Sequence, residues 1–154
     1  MVLTGFMLIS VVAQQTAPRT VQGLTAADGL EVTLWASEPA FANPTNIDID
    51  ARGRVWVLEG VNYRRQLRGQ KDVRAAGDRI LILEDTDLDG IADKSKVFDQ
   101  NIGLRSPLGI AVLGDKVIVS QSPDLVVYTK DEDDRIVSKE TLLTGWEGVD
   151  HDHG

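Results

Sequence analysis

The chain has 154 residues, 42% hydrophobic and 26% charged, the balance of a soluble globular sequence of about one domain. A formal net charge of −8 argues against the basic face that nucleic-acid binding requires. With no cysteine, disulfides, cysteine-ligated zinc and covalent haem c attachment are excluded within these residues.

In chain order, MVLTGFMLISVVAQQ comes first. Val2 to Ala13 is an apolar run too short to span a bilayer, and Val11-Val12-Ala13 ends it with small residues suited to cleavage. No Lys or Arg precedes the run, and a buried first strand or helix is the alternative, but no polar face alternates through it. The reading is a signal peptide over 1–13 and an exported protein, whether periplasmic, cell-surface or secreted. Residues 14–28 follow as a flexible lead-in.

From residue 29 the pattern is that of strands. LEVTLWAS (30–37) is one, ahead of two units that can be laid over each other. NPTNIDIDARGRVWVLE (43–59) matches SPLGIAVLGDKVIVSQ (106–121), and ILEDTDLDGIADKSKVF (82–98) matches VYTKDEDDRIVSKETLL (127–143), 45 positions on. Each unit holds four short strands, with period-two alternation at Ile47, Ile49 and at Val55, Val57. That is the sequence form of a β-propeller blade. The expected fold is all-β: a partial β-propeller of about two four-stranded blades plus an N-terminal closing strand. Two blades leave open edges that neighbours normally pair. Residues 29–154 therefore read as the N-terminal fragment of a longer propeller domain, LEVTLWAS completing its last blade.

The first unit is longer by an insertion within VNYRRQLRGQKDVRAAGDR (61–79), which carries Arg64, Arg65, Arg68, Lys71, Arg74 and Arg79. Such a basic loop on an acidic chain suits an anionic ligand, or it balances nearby acid.

The acidic loop from Asp85 has Asp87 at position 3, Asp89 at 5, Gly90 at 6, Ile91 at 7 and Asp93 at 9. Calcium takes six to eight oxygens, which alternating carboxylates and the position-7 carbonyl supply, while glycine allows the bend. Lys96 at position 12 and the strand-like flanks exclude an EF-hand. The pattern resembles the calcium hairpins of integrin-type propellers, with Asp85, Asp87, Asp89, Ile91 and Asp93 as ligands. An ion-free Asp/Gly turn is the alternative. In the second copy Lys130, Glu132, Asp134, Arg135 and Ser138 take these places, which should abolish binding. Calcium is thus expected as a staple of one blade, not as a catalytic ion.

The only histidines, His151 and His153, lie in the terminal HDHG, which the 45-residue offset sets opposite SPLG (106–109) at the start of an inner strand. A histidine there suits a general base, His-x-His suits a transition metal, and a polar connection needs neither role.

The segments 29–64, 77–98, 108–128 and HDHG, in this order, resemble the N-terminal propeller of the planctomycete- and verrucomicrobia-type membrane-bound dehydrogenase (haem-binding) family. More remotely, NPTNIDIDARGRVWVLE and the Asp-His pair resemble quinoprotein glucose and sorbosone dehydrogenases. The resemblance implies oxidation of a sugar or alcohol with pyrroloquinoline quinone, His153 as base and Asp152 beside it. It also implies electron transfer to a cytochrome domain, carrying haem c, that this chain lacks. Quinone-binding residues do not carry over. The fragment alone is expected to be inactive, and a calcium-stapled, non-catalytic propeller binding polysaccharide or protein is the competing reading.

Overall fold

The structure is a computed structural model that describes residues 21, 23–66, 68–104 and 106–145. The chain divides into two units between Leu34 and Trp35. In the first, Val21–Leu24 and Ala27–Leu30 close turns through Leu24 N–H to Val21 O and Leu30 N–H to Ala27 O. Residues 30–37, expected to be a strand, belong to neither sheet described below and carry a single bridge residue, Thr33, so the expected closing strand is not formed there.

The second unit contains eight strands: β1 (Pro44–Ile49), β2 (Val55–Glu59), β3 (Arg79–Glu84), β4 (Lys94–Gln100), β5 (Gly109–Leu113), β6 (Lys116–Gln121), β7 (Asp124–Lys130) and β8 (Ile136–Thr144). They form two antiparallel meanders, β1-β2-β3-β4 and β5-β6-β7-β8. The repeat read from the sequence is thus two four-stranded sheets, an all-β, propeller-like arrangement not closed into a barrel. The first hairpin turns where Asp50 accepts the Gly53 amide and its Oδ1 accepts the amides of Arg52 and Arg54.

Strand alternation gives each sheet two unlike faces. From the first sheet, Trp56, Leu58, Ile80, Ile82 and Phe98 pack with Val112, Val117, Val119, Val126 and Tyr128 of the second in one buried cluster. Trp56, Phe98 and Tyr128 run through it edge to face, their ring centroids 4.9 and 5.6 Å apart, a favoured aromatic geometry. On the opposite face of the first sheet, Val57, Leu81 and Leu83 are covered by Trp35, Ala36, Phe41, Val55 and Ala92.

Residue 57 stands opposite 119 in the repeat, and 81 opposite 126. The residues by which the second sheet meets the first are therefore counterparts of the first sheet's far face. Each sheet presents one face to its predecessor and the other to its successor, so the two pack head to tail. The apolar alternation of β1 falls on the far face, where Ile47 and Ile49 pair with Val57 and Val55 yet stay 57% and 60% exposed. The pattern sets which way these side chains point, and Trp35 and Phe41 cover only the middle of that face.

The polar residues of β1 join the sheets. Asn46 Nδ2 donates to the Leu108 carbonyl at 3.1 Å, the Thr45 hydroxyl to the Pro107 carbonyl, and the Val112 amide to Asp48 Oδ2 at 2.6 Å. β1 and β5 thus lie side by side with their starts together, giving both sheets a common pair of ends. One end carries the 61–78 insertion and the start of β5; the other carries the two acidic hairpin loops.

Candidate functional site

The loop between β3 and β4 folds around its own carboxylates. Asp85 accepts the Gly90 amide at 2.9 Å and the Asp89 amide at 3.2 Å, while Asp89 Oδ1 accepts the Ile91 amide at 2.9 Å. Gly90 has φ +87°, the left-handed conformation that glycine enters without penalty, and Leu88 has φ +61°. One oxygen from each of Asp85, Asp87 and Asp89 lies within 4.8 Å of the others. Oxygens bound to one calcium at about 2.3–2.6 Å stand at most about 5 Å apart, so the spacing fits that ion. None of the three carboxylates has an ion-pair partner among the described residues.

Asp93, expected as the closing ligand, is turned elsewhere. Its carboxylate accepts the Thr86 hydroxyl at 2.7 Å and the Thr86 amide at 3.1 Å, bonds that hold its pKa below the usual value. The structure therefore brings together three of the four carboxylates. Ile91 lies where the chain leaves the turn, its amide committed to Asp89.

The second loop shows what replaces an ion. Lys130, opposite Asp85, places its ammonium 3.0 Å from Asp134 Oδ1, and Asp134 is the counterpart of Asp89. Asp134 is also gripped from the first sheet by Arg54, at 2.5 and 3.0 Å, and by Arg52 at 3.3 Å. Arg54 in turn bonds Asp50, which accepts the Trp56 indole N–H at 3.0 Å. Burial by itself would push the Asp134 carboxyl up, but hydrogen bonds from Arg54 and Lys130 outweigh it and hold the group well below the carboxylate range. The Asp134 bond likewise keeps the Arg54 guanidinium firmly protonated. A cleft of about 250 Å³ beside this network is lined by Arg52, Arg54, Lys94 and Lys96 against Glu84, Glu132, Asp133 and Asp134, with Ile82. Its formal charges cancel, four basic against four acidic.

At the opposite end, the insertion is a folded loop. Asn62 clamps its base, donating from Nδ2 to the Arg74 carbonyl at 2.9 Å and accepting the Arg74 amide at 3.0 Å. Buried Asp78 accepts the amides of Asn62 and Ser106, tying the insertion to the start of β5; burial pushes its carboxyl up. Buried Glu59 binds Arg79 at 2.6 and 2.7 Å and Arg74 at 2.5 Å. Burial raises the Glu59 pKa less than these partners and the Ala42 amide lower it.

A family model covers residues 17–154 of this chain. The chain belongs to the family described as a domain of unknown function, DUF7133. No curated protein and no solved structure matches it. The DUF7133 match starts inside the expected lead-in of residues 14–28, so that segment counts as family sequence in part.

His151, Asp152 and His153 lie outside the described residues, as do residues 1–20. What the DUF7133 structure describes is their repeat counterpart, Ser106 to Gly109. There the Ser106 amide bonds Asp78, the Pro107 carbonyl accepts Thr45, and the Leu108 amide donates to Ser120 O at 3.0 Å. In the second sheet this segment is a packed connection at the insertion end.

Sequence reasoning missed the Asp134 network. The signal was present: a lysine at the first ligand position faces an aspartate four residues on, as a fixed cation would. It also missed Glu59, whose burial beneath two arginines shows only when the insertion folds back.

Proposed function

We propose that the chain is a calcium-stapled segment of an exported, dehydrogenase-type propeller that oxidises a sugar or alcohol. The observation that carries this reading is the division of the two ends. The calcium-type loop lies at one end of the sheets, while the inner-strand start that HDHG repeats lies at the other, beside the insertion. On this reading Asp85, Asp87 and Asp89 hold calcium, with the Ile91 carbonyl and a re-turned Asp93 completing the shell, far along the strands from the chemistry. His153 takes the substrate hydroxyl proton and Asp152 orients the ring. Pyrroloquinoline quinone would supply the hydride acceptor, and a cytochrome domain with haem c would receive the electrons. In protein supplied with the quinone, His153→Ala should lower turnover by roughly 10²–10⁴, the usual worth of a general base, with quinone affinity retained. Unchanged turnover, or no quinone-dependent oxidation at all, would overturn the reading.

A second reading, a calcium-stapled module that binds polysaccharide or protein without catalysis, is favoured by the acidic loop itself. Among the described residues, Asp85, Asp87 and Asp89 form the one acidic group spaced for a metal. The oxidation assay separates the two ideas: both expect one calorimetric calcium site that is lost in Asp89→Ala, and only the first expects quinone-dependent turnover.

A further inference from the structure

Every described lysine and arginine outside residues 61–78 forms an ion pair with a carboxylate. Within the insertion, Arg74 is bound to Glu59, but Arg68 and Lys71, exposed, and Arg65, half-buried, pair with no carboxylate among the described residues. In a chain of net charge −8, the cations without a carboxylate partner among the described residues are thus gathered on one loop.

The loop holds them in place. The Arg68 amide bonds the Arg64 and Arg65 carbonyls, the Gln70 amide bonds the Arg65 carbonyl at 2.8 Å, and Arg65 Nε donates to the Lys71 carbonyl at 2.6 Å. With its base clamped by Asn62 and Asp78, the loop's backbone is already ordered, and the ordering left for binding is that of the exposed side chains.

We propose that this loop binds an anionic saccharide, one that carries carboxylate or sulfate groups. Guanidinium groups match the planar, two-oxygen edge of either anion, and a ligand with repeated charges satisfies all three cations together. A protein partner fits less well, because interface cores are built on apolar and aromatic anchors. Among the described residues of 64–75, Val73 is the one large apolar side chain exposed. The remaining acidic surface repels a polyanion and so directs it to this loop. The inference stands on the loop alone and holds whether or not the same end catalyses an oxidation.

Calorimetry on the whole chain with polygalacturonate, dextran sulfate and neutral dextran tests it. At least one polyanion should bind and neutral dextran should not, with binding weakened by salt. The double variant Arg68→Ala, Lys71→Ala, which leaves the Arg65 bond to the Lys71 carbonyl in place, should lose roughly fivefold in affinity, the summed worth of two exposed charges, with its melting temperature unchanged. Lys94→Ala, at the other end, should bind as before. Failure of both polyanions to bind, equal binding of neutral dextran, or an equal loss in Lys94→Ala would overturn the proposal. Tighter binding of polyglutamate than of either saccharide would also overturn it, in favour of an acidic protein partner.

Discussion

Replacing Asp134 by asparagine keeps the side chain's volume and removes its charge. The carboxylate is 5% exposed and meets Arg54 at 2.5 Å and Lys130 at 3.0 Å, with Arg52 at 3.3 Å on the solvent side. In Asp134→Asn, Arg54 keeps Asp50 at 2.7 Å, but Lys130, 9% exposed, loses its one carboxylate partner among the described residues and keeps only neutral neighbours, the asparagine oxygen and the Trp56 ring 5.9 Å away. Leaving a buried cation unpaired costs about 3–5 kcal/mol. With a urea m-value of about 2 kcal/mol/M, the midpoint should fall by roughly 1.5–2.5 M at neutral pH. Adding Lys130→Met should recover much of this, since removing both partners of a buried pair is often close to neutral.

The pH dependence gives a second check on the same residue. Asp134 titrates lower in the folded chain than in the unfolded one. Its stabilisation is therefore full above the unfolded carboxylate value, about 3.9, and drains away as pH falls toward the folded value. The gap between the native chain and Asp134→Asn should accordingly narrow below about pH 4. A midpoint shift under about 0.5 M at pH 7, or a gap that persists undiminished in acid, would refute the reasoning.

Three further outcomes can be checked. Asp85→Lys should install in the first loop the internal cation that the second already has, abolishing the calorimetric calcium signal while the circular dichroism of the sheets is kept. Gly77→Ala should destabilise by more than about 3 kcal/mol in chemical denaturation, because Gly77 has φ +95° and an added Cβ would collide with the Asn101 carbonyl oxygen. Tyr128→Phe should cost about 1 kcal/mol, the worth of the hydroxyl's bond to Asp99 at 2.9 Å, since Asn101 and Lys139 still face that carboxylate.

The strands were legible because they depend on local pattern. RILILE alternates Ile80 and Ile82 with Leu81 and Leu83, and the two pairs end on opposite, separately buried faces. The repeat carried further: with the packing known, it matches the face by which the second sheet meets the first to the far face of the first sheet. Other features depended on contacts distant in the chain. Arg54 and Asp134 are 80 positions apart and Asp78 and Ser106 are 28 apart, and no periodicity links either pair. The acidic loop lies between these cases: its glycine and three of its carboxylates act as their spacing requires. Asp93 departs because Thr86, a residue the ligand pattern ignores, offers it two donors.

The two hairpin loops solve one electrostatic problem in two ways. A tight turn that sets acidic side chains at alternate positions is stabilised by a nearby cation. In the second loop Lys130 and Arg54 do this from within the protein, and they do more, because Arg54 comes from the first sheet and so ties the sheets together at that end. In the first loop no Lys or Arg among the described residues pairs with Asp85, Asp87 or Asp89, and on the calcium reading the cation comes from solvent. A divalent cation there would order the β3–β4 connection alone, as Asp85, Asp87 and Asp89 all lie in that one loop. Its loss should therefore loosen one hairpin and leave the joint between the sheets intact, whereas loss of Asp134 should weaken the joint and leave the first loop's geometry unchanged. Amide exchange measured with and without calcium, in the native chain and in Asp134→Asn, distinguishes these two kinds of loosening by where protection is lost.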